Sequence, residues 1–298
     1  MKTLGIKSNF LGIEKKYSDY TTSRVVILPA PYEQTVSYGG GTRFGPKAIL
    51  DASHYVEFYD EELKREFYKE HGIATLPPLN FKGKKDTKAL DLIERTVSNL
   101  LEYEKFVVTL GGEHTLSAAP IKAHLERFPD LSVLHIDAHS DLRAEYKGNK
   151  YSHASVMARV CEFLDPTKLV QVGIRAQCIE EAQFIIEKKI NTFYAQDIRD
   201  GKYGPPPVGW QDTVVAQLTD TVYISFDVDG FDPSVMPATG TPEPNGLYWH
   251  ETMTLLRKVG ERRKIVGFDV VEFAPIKRLH HAEETAAKLV YKILNYAM

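Results

Sequence analysis

Short apolar runs alternate with amphipathic stretches along most of this chain. RVVILPA (24–30), VVTL (107–110), LSVLHI (131–136), KLVQVGIR (168–175), TVYISF (221–226) and KIVGFDVVEF (264–273) are rich in β-branched and aliphatic residues. Such nearly continuous runs predict strands buried on both faces, and NTFYA (191–195) reads as a shorter one. Helical patterns lie between them. KALDLIERTVSNLLEYE (88–104) sets Leu90, Ile93, Val97, Leu100 and Leu101 on one face. GPKAILDASHYVEFYDEEL (45–63), SAAPIKAHLERF (117–128), VMARVCEFL (156–164), IEEAQFIIEKKI (179–190), WHETMTLLRKVGE (249–261) and EETAAKLVYKILNYAM (283–298) complete the series. Repeated strand–helix alternation predicts an α/β fold with a mostly parallel sheet and helices on both faces.

Active sites of such sheets lie beyond the carboxyl ends of the strands, and three of these ends carry unusual chemistry. His114 stands in GGEHT, Asp137, His139 and Asp141 form D-x-H-x-D, and Asp227 and Asp229 form D-x-D inside SFDVDGFDP. If the strand period continues through these segments, residues two apart share a face, and the six groups converge. Four carboxylates brought together repel one another unless cations intervene. With two imidazoles and no thiolate, the set suits hard or borderline ions such as Mn²⁺ better than a structural zinc.

Bulk properties narrow the picture further. The 298 residues are 43% hydrophobic and 26% charged, with a net charge of −3 and no long run of one sign, which argues against nucleic-acid binding. Cys161 and Cys178 are too few for a disulfide framework. No apolar leader with a small-residue cleavage site and no membrane-length run is apparent, so cytoplasm is the expected compartment. YGPPPVGW (203–210) could pass for a linker, but candidate ligands on both sides of it must meet in one site. A single domain over residues 1–298 is therefore expected.

GGEHT, SVLHIDAHSDLR, YSHAS, SFDVDGFDPSVMPATGTPEPNGL and VGFDVVEFAP, in this order, resemble the motif series of the ureohydrolases, the arginase/agmatinase family. GGGTRFGPKAI (39–49) and VGIR (172–175) are similar to that pattern as well. The resemblance implies a three-layer α/β/α fold of the arginase type and hydrolysis of a guanidinium group to urea and an amine at two Mn²⁺ ions per subunit. One ion would take His114, Asp137, Asp141 and Asp227, and the other Asp137, His139, Asp227 and Asp229. It further implies that Glu272 orients the guanidinium, that Asp141 relays a proton to the departing amine, and that His153 exchanges protons with solvent. Asp269 is read either as a hydrogen-bond partner of a ligating histidine or as a plain strand aspartate. His135 is read as a satisfied core histidine, and Gly39–Gly41 as a structural or site-mouth loop. The family also suggests a homo-oligomer, a trimer or hexamer.

Substrate choice rests on departures from the arginase pattern. Arg143 stands where arginases carry an asparagine, and Cys178 where they carry an acidic residue; TGTPEPNGL is more like the agmatinase branch. Agmatine is therefore the expected substrate, with Glu145 as the expected partner of Arg143. 4-Guanidinobutyrate and arginine are the alternatives within the family. Outside it stand a single-zinc deacetylase on the related fold, against which His114 and the second D-x-D argue, and a non-catalytic metal-stabilised assembly protein.

Overall fold

A computed structural model describes residues 1–204 and 209–298, so part of the Pro/Gly-dense stretch, 205–208, lies outside the described residues. The chain builds one sheet of eight strands: β1 (Val25–Ala30), β2 (Ile73–Thr75), β3 (Phe106–Gly111), β4 (Leu131–Ile136), β5 (Leu169–Ile174), β6 (Asn191–Tyr194), β7 (Thr221–Asp227) and β8 (Lys264–Val271). Their spatial order is β2-β1-β3-β8-β7-β4-β5-β6, and every pairing is parallel. The sheet expected from the apolar runs is present. The three-residue edge strand β2 is the addition, too short to stand out as a run.

Strand alternation divides the core into layers. Val25 and Ile27 face the helices Gly45–Ser53 and His280–Ala297, while Val26 and Leu28 face the helix Thr87–Glu102. Towards the other edge, Val133 and Tyr223 pack with Ile121, Val156 and Ile185 on that second side. Helices thus cover both faces, which is why the strands carry apolar residues at consecutive positions. The expected helix over 88–104 forms at Thr87–Glu102 and buries Ile93, Val97, Leu100 and Leu101. The pattern at 45–63 yields a shorter helix, Gly45–Ser53, with Pro46 in its first turn. Beyond it the Asp60 carboxylate accepts the Glu62 and Leu63 amides and closes a loop, which competes with helix. No helix among the described residues is long and apolar enough to cross a membrane.

The four central strands, in the order β3-β8-β7-β4, end at the same edge of the sheet. Directly after them come Gly112–His114, Glu272, Val228–Asp229 and Asp137–Asp141. Adjacency of strands far apart in sequence brings these segments together.

Candidate metal centre

Strand alternation is not what aims the six groups, contrary to expectation. β4 ends at Ile136, before the D-x-H-x-D segment, and Asp141 has φ +54°. Asp227 closes β7, but Asp229 lies in the 3₁₀ turn Val228–Gly230. Backbone amides hold the carboxylates instead. Asp137 Oδ1 accepts from the His139 amide, Asp227 Oδ1 from the Asp229 amide at 2.8 Å, and Asp229 Oδ1 from the Ala138 amide at 3.0 Å. Each aspartate thereby spends one oxygen on the backbone and turns the other towards an imidazole. The Asp141 carbonyl accepts the Met157 and Ala158 amides, which fixes its turn to the start of the helix Val156–Val160.

Two nodes result. His114 Nδ1 lies 3.0 Å from Asp137 Oδ2, 3.2 Å from Asp141 Oδ2 and 3.3 Å from Asp227 Oδ2. His139 Nδ1 lies 3.0 Å from Asp229 Oδ2 and 3.5 Å from Asp137 Oδ1. Asp137 belongs to both. All six residues named from the sequence meet here, five buried and His139 partly exposed.

The tautomer of His114 tests whether a cation fits. Its Nε2 is 3.0 Å from Ser225 Oγ, and Ser225 Oγ donates to Asp269 Oδ1 at 3.0 Å. The serine has one hydrogen, so it accepts from Nε2–H, which leaves a lone pair on Nδ1. Nδ1 has no hydrogen-bond partner among the described residues, yet three carboxylates surround it. Lone pair facing lone pairs is repulsive, and a divalent cation resolves it. Without one, protons must take its place. Burial opposes a charged His114, but a proton on Nδ1 would be shared with Asp137, Asp141 and Asp227, which raises its pKa well above the ordinary value. Burial together with the Asp137 charge pushes Asp141 up to about 7, and burial with Asp229 and Asp137 pushes Asp227 well up. Asp137 moves the other way, held well down against burial by three surrounding imidazoles.

Asp269 is the hydrogen-bonded strand aspartate, accepting from the Tyr223 and Ser225 hydroxyls; it is not a direct partner of a ligating histidine and reaches His114 only through Ser225. His135 is the satisfied core histidine expected. Gln171 Nε2 donates to its Nδ1 at 3.0 Å, so its Nε2–H donates to Asp137 Oδ2 at 2.8 Å. Glu272 follows β8 with φ +60°. Its Oε1 accepts the His114 amide at 2.7 Å, and burial raises its pKa well above that of a free carboxyl group.

Glu272, His139, Asp141, Asp227, Asp229 and His153 line one cavity of about 190 Å³, with Arg143, Tyr146, Thr241 and Ser37 towards its mouth. A larger cavity of about 880 Å³ lies at the amino ends of β1, β3 and β8, lined by Arg24, Lys105 and Lys264, and contains none of these groups. Ser37 and Thr241 come from loops that touch at Gly39 and Gly240, where the Gly39 amide donates to the Gly240 carbonyl at 3.1 Å. The Gly39–Gly41 segment is thus part of a site-mouth loop.

Arg143 pairs with Glu181 at 3.8 Å, not with Glu145, and lies over the Tyr146 ring. Glu181 also accepts the Leu142 and Cys178 amides, so the two atypical positions, 143 and 178, meet through it. Sequence reasoning missed Glu181, Ser225, Thr35 and Glu113. Glu181 sits at the third position of its helix as in a capping box, which is a readable signal; the others carry none.

The family model described as "Arginase family" matches residues 23–295. The chain is 38% identical over 285 residues to the N(1)-aminopropylagmatine ureohydrolase of Synechocystis sp., covering 94% of this chain and 90% of that protein. It is 33% identical to the agmatinase of Bacillus cereus, covering 94% of each. The crystal structure of the agmatine ureohydrolase of Thermoplasma volcanium superposes with a TM-score of 0.84 at 28% identity, covering all of this chain and 94% of that one.

Proposed function

Because the chain belongs to the arginase family and is an agmatinase-like ureohydrolase, we propose that it cleaves the guanidinium group of agmatine to urea and putrescine, as one domain holding two Mn²⁺ ions. His114, Asp137, Asp141 and Asp227 would hold one ion, and Asp137, His139, Asp227 and Asp229 the other. When bound, the pair supplies a water acidified towards neutrality and positive charge for the tetrahedral adduct. The observation that carries the reading is the pair of carboxylate–imidazole nodes sharing Asp137, whose His139, Asp141, Asp227 and Asp229 line the cavity that also contains Glu272.

The chain's own residues supply the rest. Glu272, buried at the cavity wall, pairs with the guanidinium; a charge-assisted bond there offsets the cost of burying both charges. Asp141 carries the proton that the departing amine needs, and His153 takes protons between cavity and solvent. A substrate whose far end is an amine is favoured over one ending in a carboxylate because Arg143, which lines the cavity, is already paired with Glu181.

One observation supports a second, longer substrate: the chain is more similar to the N(1)-aminopropylagmatine ureohydrolase than to the agmatinase, 38% against 33%. Urea release by the Mn²⁺-loaded enzyme from agmatine, N(1)-aminopropylagmatine, 4-guanidinobutyrate and arginine tests both readings. The account expects turnover of the first two. Preference for 4-guanidinobutyrate or arginine, which both carry a carboxylate, would overturn the reading of a substrate ending in an amine alone.

A further inference from the structure

His153 enters the cavity on the 3₁₀ turn His153–Ser155. Its two nitrogens have different surroundings. Nδ1 lies 3.2 Å from Thr35 Oγ1 and 3.4 Å from Ser152 Oγ, both hydroxyl oxygens. Nε2 has no hydrogen-bond partner among the described residues, on a ring that lines the cavity.

Thr35 decides between the tautomers. Its hydroxyl donates to Glu113 Oε1 at 3.0 Å and accepts the His153 backbone amide at 3.0 Å. Glu113 is fully buried, and its other oxygen accepts the Gln34 and Thr35 amides at 2.7 and 2.6 Å. Burial raises the Glu113 pKa, while the two amides on Oε2 and the Thr35 hydroxyl on Oε1 favour the carboxylate, which accepts on both oxygens. With its only hydrogen committed to Glu113, Thr35 Oγ1 can offer Nδ1 nothing but a lone pair. Ser152 Oγ is the more distant of the two neighbours, so the nearer Thr35 lone pair favours the hydrogen on Nδ1.

We propose that Thr35 and Glu113 are positioning residues that hold His153 as the Nδ1–H tautomer, with the Nε2 lone pair presented to the cavity as a hydrogen-bond and proton acceptor for a cationic N–H group. The ring is steered by a buried carboxylate acting through a hydroxyl, a relay assembled from residues 35, 113 and 153. Its catalytic consequence rests on the role given to His153 above; the tautomer itself does not.

Neutron diffraction from crystals of the metal-loaded protein, grown above neutral pH, tests this directly. A deuteron on Nδ1 alone is expected. A deuteron on Nε2, alone or together with one on Nδ1, would overturn the proposal whatever the substrate proves to be. Kinetics supply the second arm. Thr35→Val removes the hydroxyl and should lower kcat by on the order of 10- to 100-fold with KM little changed, whereas Thr35→Ser should restore it. Unchanged kcat in Thr35→Val, or equal losses in both variants, would also overturn it. Should no guanidino compound release urea, the substrate reading fails while the neutron arm still decides the tautomer.

Discussion

Asp137 is the residue on which the metal reading turns, because it alone among the described residues contacts both imidazoles, His114 and His139. Asp137→Asn is expected to hold less than one Mn²⁺ per chain and to lose urea release. His139→Asn, which touches only the second node, should retain one ion. Metal counting on gel-filtered protein checks the pair, and two ions in Asp137→Asn would contradict the shared-ligand assignment. Glu272→Gln should keep both ions yet lose on the order of 100-fold in kcat, since the guanidinium loses its charged partner and its orientation. At this scale the ligand types were legible in D-x-H-x-D and D-x-D because metal chemistry demands them. Ser225, Thr35 and Glu113 were not, since a strand serine, a loop threonine and a glutamate beside a histidine acquire meaning only when distant segments meet.

Loops and helices impose their own tests. Gly39 and Gly240 lock the two mouth loops together: a Cβ on Gly240 would stand 2.6 Å from the Gly39 carbonyl oxygen. Gly240→Ala should destabilise the fold by about 1–3 kcal/mol in denaturant unfolding and raise KM, because the loops bearing Ser37 and Thr241 must separate. His124, in the helix Ala118–Arg127, is a second case. Its Nδ1–H donates to the Pro120 carbonyl, its Nε2, against Gly267, has no hydrogen-bond partner among the described residues, and burial lowers its pKa to about 4. A depressed histidine is neutral in the fold and gains a proton more readily when unfolded. Its contribution is complete above pH about 6.5 and is lost as pH falls towards 4, a change of about 3 kcal/mol. The stability difference between wild type and His124→Leu should shift in favour of the variant across that window; a constant difference would remove this residue from the acid response. Apolar runs made seven of the eight strands readable, whereas three-residue β2 was too short to register. Strand period also misdirected one argument: the aspartates converge because backbone amides and turns aim them, not because their segments extend the strands.

In the whole molecule, four strands drawn from positions 106 to 271 must pair before any node exists. Metal binding is then linked to folding. At an ion concentration of 100 times Kd each site adds about 2.7 kcal/mol to stability, so chelation should lower Tm and restored Mn²⁺ should raise it again. Acid should release the ions, since the carboxylates and imidazoles that would hold them must be deprotonated. The alternation of strands and helices exposed this architecture in the sequence, but the order of the central strands, which decides what meets at the site, lies in long-range pairing that no local pattern records. The central claim is that both nodes hold a metal and share Asp137. Anomalous diffraction at the manganese edge from Mn²⁺-loaded crystals measures this most directly. Two peaks about 3.5–4 Å apart, one beside His114 Nδ1 and one beside His139 Nδ1 with Asp137 between them, are predicted. A single peak, or two that do not both contact Asp137, would contradict it.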